Sequence, residues 1–246
     1  MDFSMMAGIA SVAVLIYVGI STHQLTAALV NVHGVFMVFG GTAVSMLLGT
    51  PLRLLGQTSI RCLGLLKKSD YDSPEKLVPE IVALAEQCKL RGLSALSEAN
   101  PKAGEGFLKH AADMALDFND QQFVRRVLEE EINGRFDTNN DIENVFRTMS
   151  VLAPMFGLLG TLIGIVGVLR ELSNPESVGP AMAVAITSAF YGIAFANMFC
   201  VPLAGKLRMR TVMEKRTQGL VLEGLLEIMK GSIPMIVERK LQAFLV

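Results

Sequence analysis

The sequence predicts an all-α, polytopic membrane protein with four transmembrane helices and a helical cytoplasmic domain. Three observations lead there. Charge is segregated: after Asp2 no Asp, Glu, Lys or Arg occurs until Arg53, and further uncharged runs lie between Arg147 and Arg170 and between Glu176 and Lys206. A spanning helix needs roughly 20 mostly apolar residues, so the first run holds two spans and each later run holds one. The chain is also 51% hydrophobic with a mean hydropathy of +0.45, too apolar for an ordinary soluble domain, while its 18% of charged residues sit outside those runs.

The spans fall at about 3–20, 31–50, 149–169 and 179–204. This divides the chain into 1–51 (spans one and two), 52–147 (cytoplasmic helices), 148–205 (spans three and four, the channel-lining pair) and 206–246 (C-terminal cytoplasmic helices). The first span has no basic residue before it, and a second span follows the break at "STHQLTAALVNVHG". It therefore reads as a retained helix and not a cleavable signal. In the middle segment, Leu77, Ile81, Leu84 and Ala85 recur near helical spacing. Ser73 and Pro74 resemble a helix start, where proline is tolerated in the first turn. The acidic run Glu129–Glu131 reads as a solvated helix face. The C-terminal segment is again amphipathic and helical, broken near Gly231 and Pro234. The two cytoplasmic segments are expected to pack into one helical domain.

Basic residues set the orientation, because Lys and Arg accumulate on the cytoplasmic side. Arg53, Arg61, Lys67 and Lys68 follow the second span, and Lys206, Arg208, Arg210, Lys215 and Arg216 follow the fourth. The connection near 21–30 has neither Lys nor Arg, and the one near 170–178 has only Arg170. Both termini and the middle segment are thus expected in the cytoplasm. A net charge of −1 argues against a nucleic-acid partner. Cys62, Cys88 and Cys200 have neither disulfide-framework nor zinc-ligand spacing. No nucleophile–base set and no phosphate loop is present, so nothing supports an enzyme, a metal site or a cofactor.

The third span carries Gly157, Gly160, Gly164 and Gly167 at spacings of three, four and three, which makes one stripe. The fourth repeats the idea with Ala185, Ser188 or Ala189, Gly192 and Ala196. Small residues let helix backbones approach closely in lipid. Thr161 lies on the edge of the stripe, and Thr187 and Ser188 lie mid-span on the next helix. Such hydroxyls bond back to their own helix carbonyls or line a narrow polar path for an ion; the spacing leaves both readings open. Intramembrane carboxylates mark proton and ion routes, and no span here contains one. His33, near the start of the second span, is the only titratable candidate. A chain of this kind can form the wall of a channel but must borrow its carboxylate.

"VFRTMSVLAPMFGLLGTLIGIVGVL" and "PESVGPAMAVAITSAFYGIAFANMFCVPLAGKL" resemble the third and fourth helices of the flagellar stator A subunits (MotA, or PomA in sodium motors). The APxxGxxGTxxG pattern is present as Ala153, Pro154, Gly157, Gly160, Thr161 and Gly164. "VFGGT" resembles the family's second helix, "GFLKHAADMALDFNDQQFVRRVLEEEI" its cytoplasmic helices, and "EGLLEIMKGSIPMIVERKLQAFL" its C-terminal tail. The resemblance covers nearly the whole chain in order. It implies a homo-oligomeric ring of five in the bacterial inner membrane. The ring surrounds two copies of a MotB/PomB-type partner, each with one span, an ion-binding aspartate and a peptidoglycan-binding domain. Thr161 would face that aspartate, with Thr187, Ser188 and Ala189 along the ion path. Pro154 and Pro202 match prolines thought to couple ion passage to cytoplasmic movement. Lys89, Arg91 and Glu98 would face a FliG-type flagellar rotor protein, although the family's R-x-x-G-L-x-A-L-E pattern is imperfect here, with Ser97 at the glutamate. Ala189 stands where relatives commonly carry threonine. Losing that oxygen favours H+ over Na+ as the transported ion, because sodium needs several oxygen ligands. The distant TolQ and ExbB energisers usually have one helix before the cytoplasmic segment, not two. A structural membrane scaffold, with threonines that only pack, is the remaining alternative.

Overall fold

In the computed structural model, residues 3–21, 31–65, 74–170 and 175–245 are described, and every regular element among them is helical. The chain divides into two compact units, Met1–Ser69 with Asp141–Arg208 and Asp70–Asn140 with Met209–Val246. Most of both inter-span connections, and Ser73 of the expected helix start, lie outside the described residues.

The first unit holds the apolar helices. α1 spans Phe3–Ser21. A second helix, Val32–Gly49, consists of α2 (Val32–Val35), a wider π turn at Phe36–Gly40, and α3 (Gly41–Gly49). Asn31 caps it: its side-chain oxygen accepts from the amides of His33 and Gly34 at 3.0 and 3.2 Å. Extended backbone at Thr50 and Pro51 then starts α4, Leu52–Gly64. α4 is two-sided. Leu54, Cys62 and the following Leu65 pack with Ile142, Phe146, Ala204 and Leu207, whereas Leu52, Ile60 and Leu63 are exposed.

α7 runs unbroken over the 50 residues Gln121–Arg170. It begins where Asp120 accepts from the amides of Gln122 and Phe123. The sequence reading separates cytoplasmic and apolar parts near 147, but the helix has no boundary there. No stop signal occurs at that point, and solvent polarity alone does not end a helix whose backbone bonds are internal. α8 (Pro175–Phe195), a second π turn (Ala196–Cys200) and α9 (Val201–Met229) follow as one continuous helical run. Pro202 explains the widened turn. It has no amide to give the Met198 carbonyl, and its ring crowds that carbonyl. The helix absorbs the misfit by widening around Met198.

Three helices among the described residues are long and apolar enough to cross a membrane: Val32–Gly49, Gln121–Arg170 and the run Val178–Met229. Their outward faces carry large apolar side chains, among them Phe36, Leu48, Leu158, Leu162, Ile186 and Ile193. A surface of that size belongs against lipid or other helices and not against water.

The second unit is a helical domain around one core. α5 (Pro74–Arg91), α6 (Phe107–Phe118), the start of α7, the end of α9 and α10 (Pro234–Gln242) bury Leu77, Ile81, Leu128, Leu220, Leu225 and Leu241 almost completely. The acidic run pairs locally: Glu129 accepts from Arg125, and Glu131 bonds Arg135 and His110.

Candidate functional site

The glycine stripe of α7 lies on the small residues of α8, and the approach is as close as backbones allow. A methyl group at Gly157 would come 2.8 Å from the Ser188 carbonyl oxygen. At Gly160 it would meet the Ser188 side chain at 2.6 Å, and at Gly164 the Ala185 methyl at 2.7 Å. Gly192 answers from α8: a methyl there would lie 2.5 Å from the Ala153 carbonyl and 3.1 Å from the Pro154 Cα. Gly167 ends the stripe more loosely, 3.7 Å from Ala181. Without a hydrophobic driving force between helices in lipid, such packing holds them together.

Every predicted hydroxyl sits in or beside this seam. The Thr161 proton is shared between the Gly157 carbonyl of its own helix at 3.1 Å and the Ala185 carbonyl of α8 at 3.0 Å. Thr161 is half-buried, at the edge of the seam. Thr187 and Ser188 are buried and donate within α8, Thr187 to Ala183 at 2.7 Å and Ser188 to Val184 at 2.8 Å. Ala189 is half-buried beside them, its Cα 3.3 Å from a methyl at Gly157. Thr161 therefore bonds back, the first of the two sequence readings, and also ties the two helices together.

Sequence reasoning missed the third wall. Gly34, buried in α2, brings its backbone against the same hydroxyls; a methyl there would lie 3.1 Å from Ser188 Oγ and 3.3 Å from Thr187 Oγ1. Below it, Phe39 meets Phe195 edge-on at 4.8 Å, and Gly41 makes room for the Phe156 ring. A glycine three residues after a capping Asn31 was the available signal. Pro154 packs at the seam against Gly192, whereas Pro202 is exposed just beyond the second π turn. His33 is exposed.

The charged trio lies in the other unit. Gly92, at φ 78°, turns the chain sharply after α5. Arg91 Nη1 thereby reaches Glu98 Oε1 at 2.7 Å, both side chains about half exposed. Lys89 stays apart from that pair and lines a cavity of about 290 Å³. Among the described residues no three His, Cys, Asp or Glu side chains come together to hold a metal ion.

A close-packed seam between apolar helices, edged by one shared hydroxyl, defines a polytopic membrane protein. The sequence profile of the MotA/TolQ/ExbB proton channel family matches residues 100–218. Chemotaxis protein PomA of Vibrio alginolyticus is 31% identical over 217 residues, covering 88% of this chain and 84% of that protein. Motility protein A of Bacillus subtilis is 26% identical over 246 residues, covering 100% and 91%. The MotAB stator of Bacillus subtilis superposes with a TM-score of 0.87 at 25% identity, over 98% of this chain and 95% of that one. A Campylobacter (C. jejuni) MotAB structure shares the fold, with a TM-score of 0.88 at 21% identity over 100% and 96%. The chain belongs to the MotA/TolQ/ExbB proton channel family. It is a multi-pass membrane protein that works by conducting ions, not as an enzyme.

Proposed function

We propose that this chain is the ion-conducting A subunit of a flagellar motor stator, forming a ring around a B-type partner and converting ion flow into rotation. Five copies surround two copies of a single-span, peptidoglycan-binding subunit of the MotB/PomB type in the bacterial inner membrane. The chain crosses four times, with α1 as the first span, and both termini are cytoplasmic.

The observation that carries this reading is the Thr161 hydroxyl. It is half-exposed at the edge of a seam in which the other hydroxyls are buried, on a chain with no carboxylate between Arg147 and Arg170 or between Glu176 and Lys206. Titratable groups mark proton routes through the bilayer, and a helix from another chain brings one to this edge. Thr161, Thr187, Ser188 and Ala189 border the path, and a methyl at Ala189 in place of a hydroxyl favours H+ as the coupling ion. Gly157, Gly160, Gly164, Gly167 and Gly192 hold the wall rigid, and Pro154 and Pro202 carry its movement toward the cytoplasmic helices. Lys89, Arg91 and Glu98 meet a rotor protein of the FliG type. Each charge crossing gains roughly 2.3 kcal/mol per 100 mV, so a loaded step draws on several ions.

Native mass spectrometry of the complex, purified in mild detergent from its own cells, tests the proposal. Five copies with two of an aspartate-bearing, peptidoglycan-binding partner are expected. A different envelope partner moves the chain to the energisers of the TolQ/ExbB type, and a homo-oligomer with no partner overturns the channel-wall reading.

A further inference from the structure

α7 and α8 run antiparallel, and their close contacts fix which residues stand level. A methyl at Gly164 would meet Ala185, one at Gly160 would meet Ser188, and one at Gly192 would meet the Ala153 carbonyl and the Pro154 Cα. One turn further, toward Arg147 on α7 and Lys206 on α8, Ser150 comes level with Ala196 and Asn197. α2 and its π turn cover one side of the pair: Gly34 abuts Thr187 and Ser188, Gly41 meets Phe156, and a methyl at Gly160 would lie 3.8 Å from Met37. Thr161 follows Phe156 by five residues, about 140° round the helix, and so lies on the opposite flank.

Thr161, Pro154 and Ser150, spaced by seven and then four, share that flank of α7, and all three are half-buried. On α8, Thr187 and Ser188 turn toward Gly34, so Ala189 and the residues four and eight beyond it, Ile193 and Asn197, face the same flank as Thr161. Exposed Leu158 and Ile193 make the first stretch beyond Thr161 apolar. Polarity then returns on both helices at one level. Pro154 has no amide, so the Ser150 carbonyl loses its regular helical donor. Asn197 is exposed, within a run that has no charged residue between Glu176 and Lys206. Lys206 lies nine residues on, about 13 Å along a helix, so the amide sits well inside the apolar stretch. Asn197 is also the second residue of the π turn Ala196–Cys200, and widened turns of this kind recur at functional positions. An exposed amide at such a place needs a polar neighbour, because hydrocarbon cannot hydrogen-bond it.

We infer that Asn197 and the freed Ser150 carbonyl hold water on the cytoplasmic half of the ion path, and that this water receives the proton after it leaves the partner's acid beside Thr161. The inference rests on the stator reading and extends its path by a second polar station, about 12 Å from Ala189 along α8. Asn197 does not carry the proton itself, because its amide does not titrate. It donates from its nitrogen and accepts at its oxygen, and the Ser150 carbonyl accepts as well. Together they supply the roughly two to four polar partners that a bound water needs. In the transfer the acid's O–H bond breaks, a water oxygen takes the proton as hydronium, and a carboxylate remains. The hydronium passes its proton along the held water to the cytoplasmic solvent. Leu158 and Ile193 line the interval with apolar surface, which disfavours a standing water column, so the path does not leak as an open pore.

The test uses the whole complex. Asn197→Leu is expected to lower proton flux into vesicles roughly tenfold, the rate effect of about one lost hydrogen bond, while native mass spectrometry finds the ring composition unchanged. Asn197→Ser keeps a hydroxyl that can hold water, and its flux is expected to return to within about threefold of wild type. Asn197→Cys is expected to react with a charged, membrane-impermeant thiol reagent applied from the cytoplasmic side. Fragment masses assign the label to that position and separate it from the buried Cys200. Wild-type flux in Asn197→Leu overturns the inference, as does an Asn197→Cys that reacts only with a lipid-soluble reagent. A loss of flux that comes with dispersal of the ring overturns it too, and makes Asn197 a contact between copies. Failure of the stator reading looks different: the wild-type complex then conducts no ions or holds no acid-bearing partner.

Discussion

Adding one methyl group to the α7–α8 seam tests whether the close approach is structural in the sense argued here. In Gly157→Ala the new carbon would sit 2.8 Å from the Ser188 carbonyl oxygen, 3.3 Å from the Ala189 Cα and 3.4 Å from the Gly192 Cα. All three are backbone atoms, so no side chain can rotate away and the helices have to part. Overpacking of this kind costs about 1–3 kcal/mol. Gly167→Ala is the internal control, since its methyl meets Ala181 at an ordinary 3.7 Å. Both variants gain about 1 kcal/mol of helix preference over glycine, so that contribution cancels between them and the overpacking remains. With roughly 2–4 °C per kcal/mol for a chain of this length, Gly157→Ala should melt about 2–12 °C below Gly167→Ala. Thermal unfolding of the purified complex, followed by circular dichroism because the chain has no tryptophan, reads the difference. Equal melting temperatures, or a more stable Gly157→Ala, would refute the seam argument.

Thr161→Val keeps the shape of the side chain and removes its bonds to Gly157 and Ala185; ion flux into vesicles should fall at least roughly tenfold, whereas Thr161→Ser should retain most of it. Glu227 is held down at about 2 by the Ser232 hydrogen bond and then by Lys240. Because that value lies below the ordinary 4.5, its stabilisation is full above pH 4.5 and is lost as pH falls through the folded value. Glu227→Gln should therefore destabilise the complex by roughly 2–3 kcal/mol at neutral pH and flatten its acid unfolding curve. Arg91→Glu should unsettle the Gly92 turn, and the double exchange Arg91→Glu with Glu98→Arg should restore the thermal stability lost in the single variant, because the pair across the turn is kept. A double exchange no better than the single variant would show that one of these charges acts elsewhere.

Much of the membrane part was legible because lipid imposes strong rules. Uncharged runs located the apolar helices, and the three–four–three glycine spacing located the face of α7 that meets α8. The polar threonine at its edge was legible as well, but not the second carbonyl it would reach, since Ala185 lies 24 residues away. The π turn before Pro202 had a signal in the proline; the one at Phe36–Gly40 had none, being a shift of one hydrogen-bond partner that no side chain announces. Arg91 and Glu98 are seven residues apart, about 10 Å along a straight helix, and the turn at Gly92 is what brings them into contact. The continuity of α7 was hidden for the opposite reason. Changing composition marks where the solvent changes, and a helix can ignore that change.

The closeness of the seam also bears on where ions can go. Where a methyl group does not fit between α7 and α8, neither does water or a hydrated ion, and the hydroxyl protons in the seam are already given to carbonyls. That seam is therefore a sealed joint, so the proposed ion path has to run along the outer flank of the pair. A lone copy in the bilayer would then hold the gradient without leaking across this joint.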